Sequence, residues 1–304
     1  SYLKKNIQEM SKGKIYVDIR DGGELGIGTE LMVKVSRGNI SAALVSASNL
    51  SPVAPELDIL NIPFWSAGNQ AYVNLVTSQT WKNLIIDKVR AQGRIDVLFH
   101  YVPGPRTATT TKIYGRTIRT PVDIKDVLFR IPPSKSLRNY YELAGTKPVT
   151  ADWKRVAQLS KYGRIDSMDP SIFGLYNGPN GLREHIGVIS QVDSVHDGWI
   201  AVISQQWYKS LPQNLRLVLM DAAEKTFRDH LIRVVQVTNF CKQEFDKLGT
   251  KIYTPTDDEK AQWIEQCGHT RPEWNVIKMK ILGDSDIFLK FLAATKINNG
   301  YTYR

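Results

Sequence analysis

The five histidines, His100, His185, His196, His230 and His269, are the side chains best suited to moving protons or holding a metal near neutral pH. Their spacing supports neither job. There is no HExxH pair, no CxxC, and no cluster of His and Cys around Cys241 or Cys267. GxSxG, P-loop and GxGxxG sequences are missing as well. His196-Asp197 has the types for acid–base work, but neighbours in a strand point to opposite faces. Arg130 offers a different chemistry. It ends an expected strand, Val127–Ile131, just before Pro132-Pro133. A planar guanidinium makes two parallel charge-assisted hydrogen bonds to a carboxylate, where lysine supplies charge without orientation. Strand ends are also where ligands settle in α/β sheets. The plain alternative is a surface arginine paired with Asp123 or Asp126. No metal and no cofactor are indicated.

Composition sets the frame for these residues. A chain of 304 residues with 42% hydrophobic and 23% charged content reads as globular and long enough for two domains. The apolar runs Ala42–Val45 and Ile200–Ile203 are far too short to cross a bilayer. A net charge of +10 invites a nucleic-acid reading, but the basic residues are scattered among 30 acidic ones with no basic tract. A basic solvated surface that favours anionic ligands fits better. The cysteines, Cys241 and Cys267, fit either one disulfide or two buried thiols, and a free or structural role suits them better than a metal site.

Strand and helix signals alternate along the first half. Tyr2–Met10 is expected to be helical, Ile15–Ile19 a strand, Glu30–Ser36 a helix, Ile40–Val45 a strand, Thr80–Gln92 a helix and Ile95–Tyr101 a strand. That alternation predicts a parallel sheet covered on both faces. A second α/β unit follows Pro121, with helices over Ser136–Ala144 and Trp153–Lys161 and strand character over Asp193–Ser204. From Gln213 to Leu248 there is no Gly or Pro, and helical spacing persists to Gly249. Such a helix would run on the order of 50 Å, more than one small domain is wide. Helices are also expected around Asp257–Cys267 and Ser285–Ala294.

An ordered series of short motifs carries a family resemblance. Gly13-Lys14-Ile15 with Glu24-Leu25-Gly26 comes first, then Pro55-Glu56-Leu57 with Leu60-Asn61-Ile62-Pro63-Phe64. Asp123-Ile124-Lys125 with Phe129-Arg130-Ile131-Pro132 and Gly145-Thr146-Lys147-Pro148-Val149 follow. Gly163-Arg164-Ile165-Asp166 with Pro170, and Trp207 with Leu211-Pro212, complete it. Each piece is weak alone, but their order and spacing from Ser11 to about Gly249 resemble the solute-binding subunits of tripartite ATP-independent periplasmic (TRAP) transporters.

The resemblance implies a two-lobed α/β periplasmic-binding-protein fold, with residues 1–106 and 195–234 in one lobe and 107–194 and 235–304 in the other. The long helix, about 213–248, would span both. It implies capture of an organic acid between the lobes and delivery to a TRAP membrane permease, with no catalysis, by a periplasmic monomer. The opening residues read as the middle of a helix, so a signal peptide and a first strand are expected to precede Ser1. Arg130 occupies the family's carboxylate-binding slot, and Arg106 resembles a second family arginine near the crossing between lobes. Trp153 stands where relatives carry Phe and could form an aromatic wall, with Trp65 and Trp199 as further candidates. Asp169 departs from the family's usual Asn. An ionised Asp accepts hydrogen bonds but cannot donate to a carboxylate, so it would bond a ligand hydroxyl or amine, pair with Arg106 or Arg130, or point elsewhere. The rival readings are a binder serving an ATP-driven importer or a receptor, an α/β enzyme acting on a small anion, and a nucleic-acid binder.

Overall fold

The computed structural model describes residues 2–92 and 94–303. Its first sheet has three strands. β1 (Ala42–Ser46) and β2 (Ile95–Tyr101) flank β8 (Trp199–Ser204), and both run antiparallel to it. The continuous apolar run Ile200–Ile203 suits a central strand buried on both faces, and all four residues are buried. The second sheet is mixed, with β5 (Val149–Thr150), β4 (Phe129–Ile131), β6 (Ser167–Met168), β3 (Ala108–Thr111), β7 (Ile186–Ser190) and β9 (Lys251–Tyr253) in that spatial order. β4 pairs parallel with β5 and β6, and β7 parallel with β9, while β3 runs antiparallel to both of its neighbours. The expected all-parallel sheet is therefore corrected. The chain returns from the second sheet as β8, in the reverse direction, and separates β1 from β2.

One core runs from Val45, Val97 and Val202 of the first sheet to Phe129 and Ile131 of the second, and one long helix also packs against both units. Gln213–Lys247 is a single helix of 35 residues, about 52 Å long. Near its start, Leu219, Ala222 and Ala223 pack with Ile7, Leu98, Ala201 and Ile203 of the first unit. Near its end, Cys241 and Phe245 pack with Val156, Ile172 and Ile189 of the second. Cys241 and Cys267 are free, buried and in different cores. This is the two-lobed α/β architecture with a spanning helix.

Three expectations need correction. Ile15–Ile19 forms no ladder. Its alternating pattern is that of a strand, but a strand needs a hydrogen-bonded neighbour, and among the described residues none lies alongside it. An apolar groove separates it from the free edge of β1, and Ile15, Val17, Ala43 and Val45 line that groove. Strand structure in Asp193–Ser204 is confined to β8, because the preceding residues form the crossing between sheets. The tail was expected in the second lobe, but helix Ser285–Ala294 packs on helices Asn69–Val76 and Gln79–Trp81 of the first half.

One buried carboxylate ties the two halves together. Asp58, in the turn Pro55–Asn61, accepts hydrogen bonds from Ser51 Oγ (2.8 Å), Asn61 Nδ2 (2.9 Å) and Ser134 Oγ (2.6 Å). It also accepts from Ser136 N and Ser136 Oγ, both at 3.0 Å. These last donors belong to the start of helix Lys135–Leu143, whose positive dipole end favours the anion. Asp58→Ala would leave several buried donors without a partner. The expected loss is about 3 kcal/mol of unfolding free energy in urea titration, with Asp58→Asn intermediate. A loss under 0.5 kcal/mol would show that water replaces the carboxylate.

Candidate ligand-binding site

The chain crosses between the sheets twice, and the two crossings lie side by side. Pro105 bridges His196, Arg106 N donates to the Val195 carbonyl (2.7 Å), and Asp197 N donates to the Gly104 carbonyl (3.0 Å). This pairing carries Arg106 and Asp197 to the junction of the lobes. β4 brings Arg130 there from the second sheet, in register with Val149 of β5 and Met168 of β6. Asp169 is the next residue after β6. Local sequence explains the aim of Arg130. Pro132-Pro133 ends the strand, and Ser134 caps the following helix by accepting from Leu137 N, so the chain turns away just past the guanidinium.

A cavity of about 1600 Å³ opens at this junction. Arg106, Arg130, Pro132, Trp153, Asp197 and Trp199 line part of it, and the apolar groove beside β1 is another part, with Lys4, Arg20, His230 and Arg233 also on the wall. The sequence candidates therefore divide. Arg106, Arg130, Trp153 and Trp199 come together on the cavity wall. Asp169 is fully buried and is not on that wall. Trp65 is corrected to a core residue, because its ring packs on Phe288 and Phe291 at centroid distances of 4.9 and 6.4 Å.

The two arginines are held in opposite ways. Arg106 Nη1 lies 3.1 Å from Asp169 Oδ1, and Nη2 lies 2.8 Å from Asp197 Oδ1. Nη2 also donates to Ser48 Oγ (2.9 Å), while Nε is buried with no partner. Burial alone would lower the Arg106 pKa, but the two carboxylates more than offset it and leave it raised. Asp197 is fixed in turn by Ser171 N (3.0 Å) and Ser171 Oγ (2.9 Å). Arg130 is different. Nε and Nη2 both donate to the Ala151 carbonyl, at 3.0 and 2.7 Å, and no carboxylate among the described residues pairs with it. Asp123 instead caps the turn at Arg119 and Thr120, so the surface-pair reading of Arg130 is overturned. Burial, with the like charge of Arg106, pushes the Arg130 guanidinium down to about 10, against the pull of Asp169, so it remains charged at neutral pH. Trp153 covers it, with the ring centroid 5.2 Å from the guanidinium carbon.

A cation exposed to a cavity and lacking a carboxylate partner can bind an anion. His196 is poorly placed for acid–base chemistry, because its ring stacks on Tyr72 at 3.9 Å and burial keeps its pKa well below the usual value. Among the described residues there is no group of His, Cys, Asp and Glu that could hold a metal, and no helix long and apolar enough to cross a membrane. Sequence reasoning passed over Asp197 as a site residue, and the only available signal was its place beside His196.

Known proteins agree with this architecture. The structure superimposes with a TM-score of 0.87 on the sugar acid binding protein DctPAm from Advenella mimigardefordensis, solved with galactonate, at 17% identity. That match covers 97% of this chain and 91% of the other. A TRAP periplasmic solute binding protein from Sulfurospirillum deleyianum with bound succinate gives 0.85 at 19% identity, covering 96% and 92%. In sequence, the C4-dicarboxylate-binding protein DctB of Bacillus subtilis is 20% identical over 266 residues, which is 86% of this chain and 73% of DctB. The model of the bacterial extracellular solute-binding protein family 7, DctP, matches residues 1–274. By that match across most of its length, the chain belongs to the bacterial extracellular solute-binding proteins of family 7.

Proposed function

We propose that the protein captures an organic acid by its carboxylate at the junction of the two lobes and delivers it to a TRAP membrane permease outside the cytoplasm. The observation that carries this reading is Arg130, buried at the cavity with the Ala151 carbonyl as its only hydrogen-bonding partner among the described residues. The ligand carboxylate replaces the missing counter-ion, while Trp153 and Trp199 wall the bound molecule. The relatives whose ligands are named support it, since galactonate and succinate are both carboxylates.

The lobes divide near residues 106 and 195, where the paired crossings act as hinge, and the protein works as a monomer that opens and closes. Closure expels water and strengthens the hydrogen bonds to the ligand. A thermal-shift screen against mono-, di-, keto- and aromatic carboxylates tests the reading. A ligand at 100 times its Kd should stabilise the protein by about 2.7 kcal/mol, visible as a raised melting temperature. No shift with any acid would overturn it.

A further inference from the structure

We infer that the site selects acids with a single carboxylate and neutral oxygen acceptors over dicarboxylates of the same length. This inference rests on Arg130 as the carboxylate anchor. The four charged side chains at the junction, Arg106, Arg130, Asp169 and Asp197, sum to zero: two positive, two negative. They are not evenly paired. Arg106 is shared by two carboxylates, at 3.1 and 2.8 Å, and Arg130 has none. At the junction one ligand carboxylate therefore meets one cation without a carboxylate partner, while the other cations on the cavity wall, Lys4, Arg20 and Arg233, belong to the N-terminal segment and the long helix. A second carboxylate would be buried near Asp197, which lines the same wall, and near Asp169 behind it, with Arg106 already engaged.

What the wall still offers is neutral donation. Arg106 Nε and Trp199 Nε1 are buried donors with no partner, on residues that line the cavity. Each is satisfied by a hydroxyl or keto oxygen. Asp169 sets this selectivity as a positioning residue. It lies 3.1 Å from Arg106 Nη1 and acts by cancelling charge on Arg106. Asp169→Asn would remove that charge in a side chain of the same shape.

The test uses acid pairs that differ only by a terminal hydroxymethyl or carboxylate, gluconate against glucarate and 4-hydroxybutyrate against succinate, in titration calorimetry on the whole protein. The expected result is at least tenfold tighter binding of the monoacid in whichever pair binds. In Asp169→Asn the preference should shrink at least fivefold, with circular dichroism confirming the fold. Equal or tighter binding of the diacid, abolished by Arg130→Ala, would overturn the inference and leave the carboxylate reading intact. Binding of neither pair would overturn the inference, while the carboxylate reading falls only if no acid in the thermal-shift panel binds. Because the wild-type comparison stands alone, a poorly folded variant does not spare the inference.

Discussion

Arg130→Ala is expected to weaken binding of the cognate acid by 10²- to 10³-fold and to change the unliganded protein little. Removing one partner of a buried, hydrogen-bonded charge pair typically costs about 2–5 kcal/mol, and 1.4 kcal/mol is tenfold in affinity. Without ligand the balance differs. Burial already works against the Arg130 charge, pushing it down to about 10, and the pull of Asp169 offsets only part of that cost in the unliganded protein. Truncation relieves a buried charge while losing two bonds to the Ala151 carbonyl and the contact with Trp153. A melting temperature within a few degrees of wild type is therefore expected beside the collapse in affinity. Arg130→Lys restores charge but not the forked geometry, so it should recover only part of the loss. Binding within twofold of wild type in Arg130→Ala would remove Arg130 from the site.

Arg130 was legible because its signal is local. A strand, an arginine and two prolines within a few residues fix where the side chain ends up. The helices Asp257–Cys267 and Ser285–Ala294 and the long helix were legible for the same reason, since helical spacing is a property of neighbours in sequence. The features that failed depend on distant partners. Trp65 looks like Trp153 in composition, and only Phe288 and Phe291, more than two hundred positions on, make it core. Ile15–Ile19 has the pattern of a strand and lacks a neighbour. β5 and β6 have two residues each, too few to show any period. Asp169 was readable as a departure, but its pairing with Arg106 was only one of three options, and Asp197 enters through the folded crossing. Asp58 lies in a run that reads as apolar, and its donors come mostly from the far side of β4.

Acidification from pH 6.5 to pH 4 is expected to destabilise the protein steeply, with the buried histidines His100, His196 and His230 as the principal cause. Trp81 Nε1 donates to His100 Nε2 at 3.1 Å, and Val102 N donates to His230 Nε2 at 3.0 Å. Each bond needs a bare ring nitrogen, so it locks the imidazole in its neutral form, and protonation would break it. Burial acts in the same direction. It pushes His100 down to about 3 and His230 to about 4, against about 6.5 in an unfolded chain. Between those values the unfolded chain binds protons that the folded one does not. The stability these residues contribute is whole above pH 6.5 and is lost as pH falls towards 4 and then 3. The slope is at most about 1.4 kcal/mol per pH unit for each histidine. Buried Asp169 opposes the trend, since burial raises its pKa against the pull of Arg106 and Arg130 and its protonation favours the folded state. Urea titrations at half-unit steps from pH 7 to 4 measure the slope. His100→Gln keeps an acceptor for Trp81 without a titrating group, so its curve should be flatter by about one histidine's share. A wild-type curve flat over this range would show that none of these rings is locked neutral.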